Sequence, residues 1–166
     1  MKEIITQKFP IIIERYPSYS SLNSKILKEI ENISFEMSYN LNLKAQRSGW
    51  NTTTPSLERL KKWVCDILVR DNSFLRDYQV SVGNCWVNIY SKGDSAEFHD
   101  HVLSPYSFVY FVKCPKGASP LVVGSRGKKI KAEEGKIAIF PGAMMHMVPK
   151  NKCDDRIVVA GNVQAS

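Results

Sequence analysis

The sequence predicts a mainly β fold with helices at its N-terminal end, an antiparallel sheet closed into a sandwich or double-stranded barrel. Three observations predict it. The apolar periodicity changes near residue 72, from helical spacing to short β-branched and aromatic runs. About eight such runs follow one another, separated by turn residues. The gaps between them are too short for crossover helices, so a mostly antiparallel sheet is expected, and closure protects its edges. With 166 residues the chain is long enough for one sizeable core and short for two, so residues 1–166 are read as one domain, 1–75 as helical support and 76–166 as the barrel.

In order, a short strand is expected around Phe9 to Glu14. Leu22, Ile26, Leu27, Ile30, Ile33 and Met37 follow at helical spacing, with Ser21 available as a cap. A second helix opens at Thr54-Pro55, a cap followed by a first-turn proline, and carries the stripe Leu57, Leu60, Val64, Ile67 and Leu68. The strands are then Tyr78 to Tyr90, Glu97 to His101, Tyr106 to Cys114, Pro120 to Gly124, Lys128 to Ala132, Lys136 to Phe140, Met145 to Val148 and Arg156 to Val163. Gly124-Ser125-Arg126-Gly127 reads as a hairpin turn; it lacks the strand-to-helix context of a phosphate loop.

Composition narrows the function. Twenty-three Lys and Arg against 16 Asp and Glu give a formal charge of +7, which favours an anionic substrate or polyanionic neighbour. The basic residues form no aromatic-interleaved stripe, so nucleic-acid binding is not expected as the main activity. Cys65, Cys85, Cys114 and Cys153 are widely spaced and form no C-x-x-C, as expected of reduced thiols in a cytosolic protein. No apolar run approaches the ~18 residues of a membrane span, and neither a membrane partner nor a secretory signal is expected.

The three histidines, His99, His101 and His146, carry the chemistry. On a strand, His99 and His101 point the same way and Asp100 the other, so both imidazoles can reach one metal. His146, beyond the Pro141-Gly142 turn, can enter the same barrel mouth from another strand. Two close ligands and one remote one is a common metal-site layout; three neutral imidazoles suit zinc or a redox-active ion and leave positions open for small molecules. Arg156 opens the last strand, where its fork can hold a carboxylate inside the barrel; its alternative is a surface ion pair with Asp154 or Asp155. Trp86, Asn88 and Tyr90 share one strand face, and Tyr106, Phe108, Tyr110 and Val112 another. The polar ends of Asn88, Tyr90 and Tyr110 need partners, which a polar ligand would supply.

The order Trp86-x-Asn88-x-Tyr90, Gly93-Asp94, His99-x-His101, Ser107-Phe108-Val109-Tyr110-Phe111, Gly135 before Phe140-Pro141, His146 and Arg156 resembles the small 2-oxoglutarate- and Fe(II)-dependent oxygenases of prolyl-hydroxylase-like type, including short bacterial and viral forms. The match covers roughly residues 76 to 163. The resemblance implies a double-stranded β-helix, a jelly-roll or cupin-like barrel buttressed by two α-helices, and an enzyme that uses Fe(II), 2-oxoglutarate and O2 to hydroxylate a C–H bond. A prolyl residue of a peptide or protein is its family-level substrate, with a small molecule as the alternative. His99 and His146 match the family histidines, Arg156 the anchor of the cosubstrate's distal carboxylate, and Tyr90 or Tyr110 hydrogen-bond donors, with Asn88 near substrate or the keto acid. His101 departs from the pattern, because the family has a carboxylate there; Asp100 could substitute only through a bulge. The same histidines also partly resemble a cupin, a metal-binding barrel that does not use 2-oxoglutarate, but that pattern's glutamate is missing and Arg156 is left without a role.

Overall fold

The structure, a computed structural model, describes residues 9–38 and 42–166. Strand β1 (Ile12–Arg15) precedes helix α1 (Tyr19–Ile30), the small strands β2 (Glu36–Ser38) and β3 (Leu43–Arg47), helix α2 (Pro55–Asp71) and a 3-10 turn over Ser73–Asp77. Eight strands follow: β4 (Val80–Tyr90), β5 (Ser95–His99), β6 (Tyr106–Lys113), β7 (Leu121–Val123), β8 (Lys128–Ile130), β9 (Lys136–Pro141), β10 (His146–Val148) and β11 (Arg156–Ala165). The expected strands of the second half are all present, with ends moved by a few residues.

The front half needed two corrections. The first helix stops at Ile30 after a single amphipathic face, and the chain turns at Glu31–Asn32; Met37 is therefore on β2, exposed, and not on the helix. Ser18, not Ser21, stands at that helix's N-cap, without a side-chain cap bond. The second helix begins as expected: Thr54 accepts from the Leu57 N–H at 3.3 Å and Pro55 takes the first turn. Glu29 of α1 adds a carboxylate there, accepting from Ser56 N at 3.1 Å and Ser56 Oγ at 2.8 Å, which ties the helices together.

The strands run in the order β1-β9-β6-β11-β4-β3-β5-β10-β7-β8, with β2 beside β3, and every ladder between named strands is antiparallel. The order curls into two facing sheets, and β3 belongs to both. Its Gln46 and Arg47 pair with Ile89 and Asn88 of β4, whereas Leu43 and Lys44 pair with Ala96 and Ser95 of β5.

Alternation divides the larger sheet's side chains between two cores. Cys85, Val87, Phe108, Tyr110, Ile137, Ile139, Ile157 and Val159 pack with the helices; Trp86, Tyr90, Val109, Phe111, Ala138, Phe140 and Val158 fill the space between the sheets. The helices thus cover the outer face and leave the inner one for a cavity. The four cysteines are free, and burial pushes the Cys85 and Cys114 thiols up to about 12.

Candidate active site

His99 ends β5, His146 begins β10, and the two are paired in register, so the ladder itself brings their rings to a centroid separation of 4.2 Å. His99 Nδ1 lies 2.7 Å from the Glu97 carbonyl and His146 Nδ1 lies 3.0 Å from that of Met144. A carbonyl only accepts, so each Nδ1 carries the proton and each Nε2 is left with its lone pair, free to bind a metal. His101 arrives differently from the strand-parity expectation. The strand ends at His99, and His101 sits in a turn whose backbone N–H donates to Gly142 O at 2.7 Å. Its ring is nevertheless 5.2 Å from each of the other two. One potential ligand atom from each histidine lies within 4.8 Å of the others, and among the described residues no carboxylate joins this cluster. Asp100 instead accepts from the Val102 N–H at 3.3 Å, within its own turn.

Burial pushes His146 down to about 3 and His101 down to about 4, in each case reinforced by the His99 imidazole; the Met144 carbonyl opposes the first shift and Asp100 the second. Both rings are therefore neutral and ligand-competent at neutral pH. The shifts also set an acid limit. Because the folded values lie below the unfolded 6.5, the unfolded chain binds more protons once pH falls through 6.5, and stability declines from there toward about 3. For His146 the slope is ~1.4 kcal/mol per pH unit within that window, with a smaller addition from the less buried His101. Chemical denaturation of metal-free protein at pH 7.5 and 5 is expected to show this loss, and the variant His146→Phe to reduce it.

Deeper in the same barrel lies Arg156. It is 0% exposed, and its Nε donates to Ser119 O at 2.9 Å. Its Cζ is 4.6 Å from the Tyr90 ring centroid and 5.6 Å from that of Phe111. Both Nη1 and Nη2 are buried without a partner. The surface ion pair is excluded by where the acids go: Asp154 accepts from Lys92 N at 2.9 Å, and Asp155 pairs with Lys113 Nζ at 3.1 Å. A buried cation with two idle donors is costly unless an anion completes it.

The histidines and Arg156 line one cavity of about 270 Å³, whose walls include Trp86, Asn88, Tyr90, Val109 and Phe140. Asn88 Oδ1 is also buried without a partner. Tyr90 is where the sequence placed it, and burial raises its hydroxyl's pKa, keeping it a donor. Tyr110 is not: it faces the helices, and its hydroxyl donates to Asn23 Oδ1 at 2.7 Å, so the polar partner it needed is a core asparagine. Ser38, Arg47 and Trp50 line the mouth and were not anticipated, although the Leu43-x-Ala45 alternation of β3 was a legible strand signal. The donor set suits a divalent ion on neutral imidazoles beside a small anion on the guanidinium.

No family model and no curated protein matches the sequence. Solved structures match in fold. The viral collagen prolyl hydroxylase of Paramecium Bursaria Chlorella virus-1, in complex with 2-oxoglutarate, superposes with a TM-score of 0.70 at 12% identity, over 91% of this chain and 94% of that one. A Trichoplax adhaerens prolyl hydroxylase in complex with a hypoxia inducible factor peptide gives 0.72 at 15%, over 92% and 82%. HygX of Streptomyces hygroscopicus, with nickel, 2-oxoglutarate and hygromycin B bound, gives 0.66 at 13%, over 94% and 82%. The chain therefore has the jelly-roll, double-stranded β-helix fold of these proteins.

Proposed function

From that shared fold and the cavity it encloses, we propose that the chain is a 2-oxoglutarate- and Fe(II)-dependent oxygenase that hydroxylates a C–H bond. The observation that carries this reading is Arg156, fully buried with both Nη groups idle, in the same cavity as three converging imidazoles. His99, His101 and His146 hold the ion. Fe(II), when bound with 2-oxoglutarate and O2, supplies the oxidation: one oxygen atom enters the cosubstrate, which leaves as succinate and CO2, and the other enters the substrate as a hydroxyl.

The chain's own residues bind, orient and exclude water. The Arg156 fork receives the distal carboxylate in two parallel N–H bonds, with Ser119 O and the Tyr90 ring fixing its plane. The backbone carbonyls of Glu97 and Met144 lock two imidazoles in the ligating tautomer. Phe140, Trp86 and Val158 keep the cavity apolar, which strengthens every charge interaction inside it. Three neutral ligands leave the ion's full charge to be met by the anionic cosubstrate. A cupin-type role would leave the Arg156 donors without an occupant. A prolyl residue in a peptide is the family-level substrate; HygX, with its bound hygromycin B, keeps a small molecule equally in view. The +7 charge steers anionic molecules toward the mouth, and four free thiols fit a reducing cytosol.

The test is an anaerobic calorimetric titration of 2-oxoglutarate into protein loaded with Mn(II), followed by succinate release with Fe(II) and O2. Binding that requires the metal, and that disappears in His146→Ala, is the expected result. Metal binding without any affinity for 2-oxoglutarate would sink the reading.

A further inference from the structure

A second cavity, of about 500 Å³, adjoins the first outside the mouth; it is bounded by Ser34, by β2, and by Arg47 of β3 with Ser48, Gly49 and Trp50 after it. Three residues line both cavities: Ser38, Arg47 and Trp50. Ser38 is 8% exposed, and its Oγ is buried without a hydrogen-bond partner among the described residues. Arg47 makes no ion pair among the described residues; its Cζ lies 3.9 Å from the Trp50 ring centroid, so the guanidinium plane is held by stacking while its N–H edge is left free. Trp50 is in turn fixed edge-on against Trp86 at 4.7 Å and 74°, and Trp86 stands 6.0 Å from His101. Rings therefore line the way from the imidazoles to the idle cation. Gly49 lines the same cavity, and a Cβ built on it would meet nothing within 4 Å.

An unpaired guanidinium preset on an aromatic face, next to a buried hydroxyl with no partner, is a donor set for an oxyanion. Among the described residues two carboxylates line the cavities with Arg47: Asp100, which accepts from the Val102 N–H at 3.3 Å, and Glu36. Glu36 stands opposite Arg47 in the β2–β3 register and lines the outer cavity, yet it forms no ion pair with Arg47.

We propose that Ser38 and Arg47, with Trp50 as backing, form a second anion site that binds a carboxylate or phosphate group of the molecule to be oxidised. The assignment of that molecule as substrate rests on the oxygenase reading; the anion site itself does not. Held there, the anionic group leaves the rest of the molecule to run along Trp50 and Trp86 toward the histidines. Arg47 thus selects the substrate by its charge, while Arg156 serves the cosubstrate.

The test titrates phenylacetate, phenyl phosphate and phenylacetamide into the full chain and reads tryptophan fluorescence, with Trp50→Phe identifying the reporter. At least one acid is expected to bind about tenfold more tightly than the neutral amide, the scale of one charge-assisted contact. The two acid arms say whether carboxylate or phosphate fits better. The preference should fall to within about twofold in Arg47→Ala and persist in Arg156→Met. Lack of preference for either acid, its retention in Arg47→Ala, or its loss with Arg156 would each overturn the proposal. So would a preference seen only in Glu36→Gln, since Arg47 would then be neutralised in the native chain. Failure of 2-oxoglutarate to bind metal-loaded protein, with the Arg47-dependent preference intact, would remove the reaction class and leave the anion site standing.

Discussion

Replacing Arg156 by methionine is expected to stabilise the ligand-free protein and to remove most of the response to 2-oxoglutarate that the proposed function requires. The first half follows from the cost of a buried charge with no counter-ion. Arg156 is wholly buried, with one hydrogen bond, to Ser119 O, and two idle nitrogens among aromatic neighbours. Exchange of buried ionic groups for apolar ones of similar volume is often stabilising by about 1–4 kcal/mol. In a chain of 166 residues this amounts to a rise in Tm of roughly 2–4 °C per kcal/mol. The second half follows from the carboxylate-binding role proposed for the fork. Truncating one partner of a buried charge pair costs about 2–5 kcal/mol, roughly 30-fold to a few thousand-fold in affinity. Differential scanning calorimetry with and without 2-oxoglutarate, on Mn(II)-loaded protein, reads both at once. Wild type should gain ~2.7 kcal/mol at a hundredfold excess over Kd, and Arg156→Met less than about 1 kcal/mol at the same concentration. A ligand-free variant less stable than wild type would make Arg156 a structural tie to the Ser119 loop instead.

Gly142→Ala is expected to unseat His101. A Cβ at this position would lie 2.0 Å from Ser104 O and 2.6 Å from His101 O, far inside contact distance with backbone that cannot rotate away. The turn is fastened at that point by His101 N donating to Gly142 O at 2.7 Å and Gly142 N to Pro105 O at 3.1 Å. Forcing the segments apart costs about 1–3 kcal/mol of stability, as overpacking does. It also withdraws one of the three proposed ligands while sparing the His99–His146 pair, which the ladder holds. Affinity for Co(II) should fall at least 10- to 100-fold, with the visible band of the bound ion altered. His101→Ala should reproduce the metal loss without the same loss of stability. Unchanged Co(II) binding in both variants would show that His101 is not a ligand.

Much of the fold was legible because period-2 alternation is a local signal. From Val80 to Ala165 each strand announces itself by side chains that must face one of two cores. The front half was harder for a physical reason. Ile33 and Phe35 pack on the same core as α1 although the helix has ended, so apolar spacing alone could not mark its end. β2 has three residues and, unlike the equally short β7, β8 and β10, no neighbouring Gly or Pro, so neither alternation nor a turn signal marks it. The metal-site expectation was readable from three histidines alone, yet the route of His101 was not, because its turn depends on Gly142, 41 residues away in the chain, which no local pattern reveals. Tyr110 was misplaced for the same kind of reason: its partner Asn23 is 87 residues distant.

The shared strand β3 has a mechanical consequence. The larger sheet is riveted along β11, which meets β4 over ten register positions and β6 over seven. The seam between the two sheets at the mouth, by contrast, rests on two register positions of β3 on either side. Stiffness is therefore concentrated at the back of the barrel and compliance at its lip. Of the ways the barrel can breathe, parting along this seam breaks few ladder bonds, and it widens the entrance beside Arg47 while the register that aligns His99 with His146 stays intact.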